Sequence, residues 1–252
     1  MREPRDPPEV SRQIHPNDGM WQPRESWYYR VGRSGLRAVE LAVAGSWLEQ
    51  PRSILDLPCG HGRVARYLRA AYPQARMHFC DIDAEGADFC AKEFQGEAIH
   101  SVEELTDVAL PMVDVIWVGS LFTHVDAART RRWLAYLARH LNPDGVLVAT
   151  FHGTWSIQMQ KSYPMIDAAS WDAVLEGVER EGYGYAPYPH GRAGDYGISL
   201  TRPAWICDAI AQIPGVRLAG YAERGWAENH DVAVITRDDR LTPWTPDFRD
   251  WK

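Results

Sequence analysis

The stretch Ile54-Leu55-Asp56-Leu57-Pro58-Cys59-Gly60-His61-Gly62-Arg63 decides how this 252-residue chain is read. Residues 53–57 form a short, mostly apolar run of strand character that leads into a glycine turn, and residues 63–71 read as a helix opening directly after it. Gly60 and Gly62 carry no side chains, so a ligand can approach the backbone closely. The helix start offers N–H groups that have no intrahelical partner. About 20 residues further on, Asp81 closes the next strand, where a carboxylate can accept hydrogen bonds from both hydroxyls of a ribose. A nucleoside-containing cofactor is expected.

Outward from that turn the chain alternates short β-rich runs with helical stretches. Strands are expected at 77–80, 98–100, 113–118 and 146–151, and helices at 36–48, 84–94 and 127–141, with a turn at Asn142-Pro143-Asp144-Gly145. This rhythm is that of a parallel sheet covered by helices. It breaks at residues 154–200, where Trp155, Tyr163, Tyr185, Tyr188, His190, Arg192 and Tyr196 stand among glycines and prolines. A helix is expected at 168–181 there, with irregular loop around it. A helix at 203–212 and strands at 216–221 and 232–236 follow. The gap between those strands is too short for a helical crossover, so they should pair antiparallel. Residues 1–26, rich in proline and charge, read as an arm or lid.

Composition narrows the function classes. Apolar residues make up 45% and charged residues 24%, ordinary for a chain that buries a core. With 34 acidic against 27 basic residues the net charge is −7, and no basic stripe is visible, so nucleic acid is not an expected partner. No apolar run reaches the roughly 18 residues that cross a bilayer, and the opening MREPRDPPEV does not read as a secretory signal. Four scattered cysteines form no CxxC pair, which fits a reduced, cytoplasmic setting. The 11 Trp and 11 Tyr concentrate outside the scaffold and suggest a pocket with aromatic walls.

Gly60-His61-Gly62-Arg63-Val64-Ala65 also matches the GxGxxA dinucleotide fingerprint, so a nicotinamide-dependent oxidoreductase is one alternative. Against it, Asp56 stands four positions before the first glycine, where an acid suits an ammonium or sulfonium and repels a pyrophosphate. The expected antiparallel ending of the sheet also argues against it.

Asp56 to Gly62 resembles the first motif of the class I S-adenosylmethionine-dependent methyltransferases, in a branch acting on small molecules and glycans. Asp81-Ile82-Asp83 resembles their second-strand acidic motif, residues 114–125 their fourth-strand motif, and Leu141-Asn142-Pro143-Asp144-Gly145 the turn before strand five. Together these cover about residues 30–153 and the terminal hairpin. The resemblance implies an α/β, Rossmann-like, seven-stranded, mostly parallel sheet with an antiparallel terminal hairpin and helices on both faces. Residues 1–252 would be one methyltransferase domain, with 154–200 as an aromatic cap. It also implies S-adenosyl-L-methionine as cofactor: Asp56, Gly60 and Gly62 beside its methionine part, Asp81 on the ribose, Ile82 against the adenine, Ser101 near the adenine edge, and Gly119 and Ser120 beneath it. Residues 28–33 resemble an N-terminal helix that closes over the methionine carboxylate, with Arg33 as its partner. A non-catalytic S-adenosylmethionine-binding protein is the other alternative.

His124 follows strand four and His152 ends strand five, at the end of the sheet where parallel α/β folds bind ligands, so both are candidate bases. Trp155, Tyr185 and His190 are candidate acceptor contacts within the cap, because aromatic faces suit sugar rings and planar metabolites. No pair of His or acidic residues has metal-ligand spacing, so no metal is expected. The expected reaction is methyl transfer to a small-molecule or sugar acceptor at oxygen.

Overall fold

The computed structural model describes residues 9–21, 25–162, 164–189 and 196–237. His190, Tyr163 and Arg192 lie outside the described residues, as does the polar tail from residue 238.

The order is α1 (Glu25–Ala44), β1 (Ser53–Leu57), α2 (Ala65–Ala71), β2 (Arg76–Asp81), α3 (Ala84–Glu93), β3 (Glu97–His100), β4 (Val113–Val118), α4 (Ala127–Arg139) and β5 (Leu141–His152). It continues with α5 (Ser156–Ser162), α6 (Ala168–Glu181), β6 (Tyr183–Pro187), β7 (Gly197–Thr201), α7 (Pro203–Ala211), β8 (Val216–Trp226) and β9 (His230–Arg237). Seven strands form one sheet in the order β3-β2-β1-β4-β5-β9-β8; β9 runs antiparallel to both β5 and β8, and the remaining pairs are parallel. This is the expected Rossmann-like arrangement. The strand order reverses between β1 and β4, the switch point outside which such sheets bind ligands.

Local chemistry sets the helix ends. Asp83, Asp126 and Asp167 each cap a helix, accepting from the N–H of Gly86, Arg129 and Ser170, respectively. Gly182 ends α6 at φ +76, a left-handed cap that favours glycine. β4 and much of β5 are buried along their whole length, as expected of central strands covered on both faces.

Four expectations change in detail. The two helical segments expected at 28–33 and 36–48 are one helix, α1, which ends at Ala44. The helix after the glycine turn starts at Ala65, because residues 62–64 still belong to turns. The turn at 142–145 is absorbed into β5 as a shift of register: Val113 pairs with Leu141 but Val115 with Val146, and Asp144 sits at φ +63. The expected irregular loop in 154–200 holds a helix, α5, and an antiparallel pair, β6–β7. That pair is anchored to the parent sheet: Gly197 N–H donates to the His124 carbonyl and Ser199 N–H to the Thr123 carbonyl, each at 2.9 Å. Ser199 Oγ donates to the Phe122 carbonyl, and Thr201 Oγ1 to that of His152.

Candidate active site

At the switch point lies a cavity of about 260 Å³. Leu57 and Pro58 bring in the end of β1, Asp81 and Ile82 the end of β2, and Ser101 and Val102 the segment after β3. Ser120, Leu121 and His124 follow β4, while Leu105, Trp133 and Tyr196 close the walls. Trp133 is fixed by its indole N–H, which donates to Glu104 Oε1; Arg132 holds the other oxygen of that carboxylate.

Asp81 is the polar centre of the floor. Its Oδ2 accepts from Gly60 N–H at 2.7 Å and its Oδ1 from Asp83 N–H at 2.9 Å. A carboxylate has about four acceptor positions, so lone pairs remain for a vicinal diol. Burial raises the pKa of Asp81, and the N–H groups of Asp83 and Gly60 oppose that rise.

Asp56 alternates with Leu57 along β1 and so points away from this cavity, to the other face. It is buried, and its Oδ2 has no hydrogen-bond partner. Burial, and then the charge of Asp81, push its carboxyl well above the usual range. An unpaired carboxylate in such a place is costly and is relieved by a cationic group. A methionine ammonium is such a group.

The two turn glycines do different work. Gly60, at φ +50, has open space where a side chain would start, so its backbone is accessible. Gly62, at φ +84, would place a Cβ 2.2 Å from the Phe94 ring, so it lacks a side chain for packing rather than for a ligand. Gly119 likewise gives way to the Trp117 indole, 2.8 Å from where its Cβ would lie, and does not line the cavity.

His124 is the titratable base at the cavity wall. Its Nδ1 lies 3.0 Å from the Gly197 carbonyl oxygen, which can only accept, so Nδ1 carries the proton. Nε2 is left with its lone pair, 3.5 Å from Ser120 Oγ. Burial lowers the pKa of this ring, keeping it neutral. The Tyr188 hydroxyl lies 3.0 Å from Nδ1.

His152 is placed behind His124 rather than on the wall, with ring centroids 6.3 Å apart. Its Nδ1–H donates to the Ser199 carbonyl, and burial, followed by the nearby His124, lowers its pKa to about 3. His230 meets it edge-on from behind, with ring centroids 4.9 Å apart. Trp155 lies under the Arg224 guanidinium at 4.0 Å, and Tyr185 packs against the core; neither lines the cavity. Among the described aromatics of residues 154–200, Tyr196 is the one that does, because β7 brings it over the end of β4. Arg33 is exposed on α1, and no acid from the segment after β3 reaches the cavity wall: Glu103 lies against Arg129, Glu104 against Arg132.

A sequence model of the methyltransferase-domain family matches residues 55–147, the run from β1 into β5 that contains most of this wall. The resemblance to the class I S-adenosylmethionine-dependent enzymes therefore holds for the segment that carries the glycine turn, Asp81 and His124. Among curated proteins, none matches the sequence.

Solved structures share the fold of this chain. A sugar N-methyltransferase from Streptoalloteichus is 16% identical, with 95% of this chain and 99% of that chain covered and a TM-score of 0.57. An O-methyltransferase family protein from Burkholderia thailandensis is 17% identical over 85% of this chain and 59% of that chain, at a TM-score of 0.53. Human N-acetylserotonin methyltransferase, solved with S-adenosylmethionine, is 16% identical over 82% of this chain and 51% of that chain, at 0.51. The chain thus spans between 51% and 59% of the length of the first three solved chains it matches. Among the described residues, no helix is long and apolar enough to cross a membrane.

Proposed function

We propose that residues 1–252 form a single methyltransferase domain, with 154–200 as its acceptor cap, that transfers the methyl group of S-adenosyl-L-methionine to an oxygen of a small-molecule or sugar acceptor. The observation that carries the oxygen assignment is the half-buried, neutral His124, whose Nε2 lone pair is held at the cavity wall.

The residues fit the cofactor's parts. Asp81 offers free lone pairs to the ribose hydroxyls, and Ile82, Val102, Leu105, Leu121 and Trp133 give an apolar slot for adenine near Ser101. Gly60 leaves its backbone open to the methionine part, and the unpartnered Asp56 Oδ2 suits the ammonium. Ser120, at the end of β4, sits between this slot and His124. Gly62 and Gly119 support the turn and the floor through packing.

When bound, the cofactor supplies a methyl group already activated by its sulfonium. The protein's work is to position an acceptor, keep water out and take a proton. His124 Nε2 accepts the acceptor's hydroxyl proton, while the Gly197 carbonyl holds the ring's orientation through Nδ1–H. His152 is buried and neutral behind it. Tyr196 and Tyr188 lie beside His124 on the acceptor side, with Trp155 and Tyr185 further out; His190 remains a candidate acceptor contact on the sequence alone. Neither nucleic acid nor a membrane is part of this reading. A cytoplasmic setting goes with it, supported by four free cysteines.

Methylation at nitrogen is the second reading, favoured by the end-to-end match to a sugar N-methyltransferase. The test is a screen of sugar and aromatic hydroxyls and amines with methyl-labelled cofactor, followed by product mass spectrometry. Products methylated at oxygen and lost in His124→Gln support the proposal. Turnover confined to amines removes the oxygen assignment, and retention of NADP(H) without S-adenosylmethionine binding removes the whole reading.

A further inference from the structure

We propose that His15, His61, Asp83 and Glu85 form a binding site for a zinc-type divalent cation that fastens the N-terminal segment to the glycine turn. His61 lies in that turn, is only 7% exposed, and its Nε2 is buried without a hydrogen-bond partner. An unpaired buried ring nitrogen is costly, so its surroundings should offer something for it to bind. What faces it is a set of metal ligands. One atom each from His15, His61 and Glu85 lie within 4.8 Å of one another, and Asp83 Oδ2 is 3.9 Å from His61 Nε2.

The spacings favour an ion over direct contact. His15 Nε2 and Glu85 Oε1 are 3.8 Å apart, and both this and the Asp83 pair are too long for hydrogen bonds. A tetrahedral zinc with bonds of about 2.1 Å holds neighbouring ligand atoms about 3.4 Å apart, so a small movement of the exposed Glu85 side chain closes the three-ligand group, and a larger swing of the exposed Asp83, which lies near His61 alone, supplies the fourth ligand. The His15 and His61 rings already stack, with centroids 4.6 Å apart and planes 17° apart.

The atoms behind the ligands leave the right oxygens free. Asn17 Nδ2 donates to Glu85 Oε2 at 2.7 Å, leaving Oε1 for the ion. Asp83 Oδ1 caps α3 through Gly86 N–H, leaving Oδ2. Binding through His15 Nε2 requires the ring proton on Nδ1, so the 3.2 Å hydrogen bond that Nδ1 accepts from Asn17 N–H is given up. The start of α3 alone would repel a cation, but the two carboxylates there reverse the local sign. Two imidazoles with two carboxylates suit zinc better than calcium or magnesium, which prefer all-oxygen shells. His15 belongs to residues 9–21 and the other ligands to the wall of the cofactor turn, so the ion joins two parts far apart in sequence.

The test uses the full chain stripped with chelator and titrated with Co²⁺, read by visible absorption, with Zn²⁺ as competitor. Expected are one equivalent bound, d–d bands of tetrahedral intensity, and loss of at least about tenfold in affinity in His15→Ala and in His61→Ala. His100→Ala, a surface histidine paired with Asp88, should bind as the parent does. Zn²⁺ should also slow amide exchange across residues 9–21. His15 lies outside the sheet, so its variant keeps the test decisive if His61→Ala fails to fold. No binding, an octahedral spectrum, or equal affinity in parent and His15→Ala would overturn the site. Unchanged exchange in 9–21 would overturn the fastening.

Discussion

The carbonyl of Gly197, on the cap strand β7, fixes the tautomer of His124, on the segment after β4. A group from the insertion therefore decides which ring nitrogen of the core is basic.

Replacing His124 with Gln keeps a polar side chain of similar reach but removes the base. For an oxygen acceptor, kcat should fall by about 10²–10⁴-fold, with little change in affinity for S-adenosylhomocysteine. Because burial lowers the ring's pKa, the acid limb of kcat/KM should fall below the ordinary histidine value of about 6.5. Steady-state kinetics across pH checks both; an acid limb above that value would exclude His124 as the base.

Asp81→Ala removes the acceptor for the ribose hydroxyls. Binding of S-adenosylhomocysteine, followed by calorimetry, should weaken by about 1.5–3 kcal/mol, the range for hydrogen bonds to a charged group. Unchanged affinity would place the ribose elsewhere.

Asp56→Asn should separate stability from binding. The raised pKa means that this carboxyl's contribution is full below the unfolded value near 3.9 and is lost as pH rises through the folded one. The ligand-free variant should therefore melt higher than the parent at pH 8 and bind S-adenosylhomocysteine less tightly. Thermal denaturation and calorimetry on the same samples would show whether both shifts occur.

His124, His152 and His230 meet edge to face in a row and all have lowered pKa values, through burial first. The unfolded chain takes up protons on them from about pH 6.5 downward, while the folded chain does not. Their contribution is thus full above that pH and declines as pH falls, by about 1.4 kcal/mol per pH unit for each ring still neutral in the fold. Urea denaturation between pH 7.5 and 5 should show the decline, and His152→Gln should flatten it. A flat profile for the parent would contradict this.

The strands, the glycine turn and Asp81 were legible because each rests on local pattern: apolar runs, a bare turn and an acid at a strand end. The β6–β7 pair was not. Tyr183-Gly184-Tyr185-Ala186-Pro187 has no apolar run, and its partner lies across residues 188–196, so pairing depends on β7 finding the chain after β4. The different duties of Gly60 and Gly62 were hidden for the same reason, since Phe94, which excludes a side chain at Gly62, comes from the end of another helix. Tyr196 gave only an aromatic among many. His15, His61 and Glu85 show no ligand spacing along the chain, because α3 and the N-terminal segment meet only in the fold.

The hairpin β6–β7 is joined to the sheet by two main-chain hydrogen bonds and by inward-facing side chains, Ser199, Thr201 and Tyr183, that reach main-chain carbonyls. Substitutions on its solvent side leave those links intact. On the proposed reading, the fold can therefore accumulate changes in what it accepts while the imidazole beneath stays in register, which would make selectivity and proton transfer separable traits of one chain.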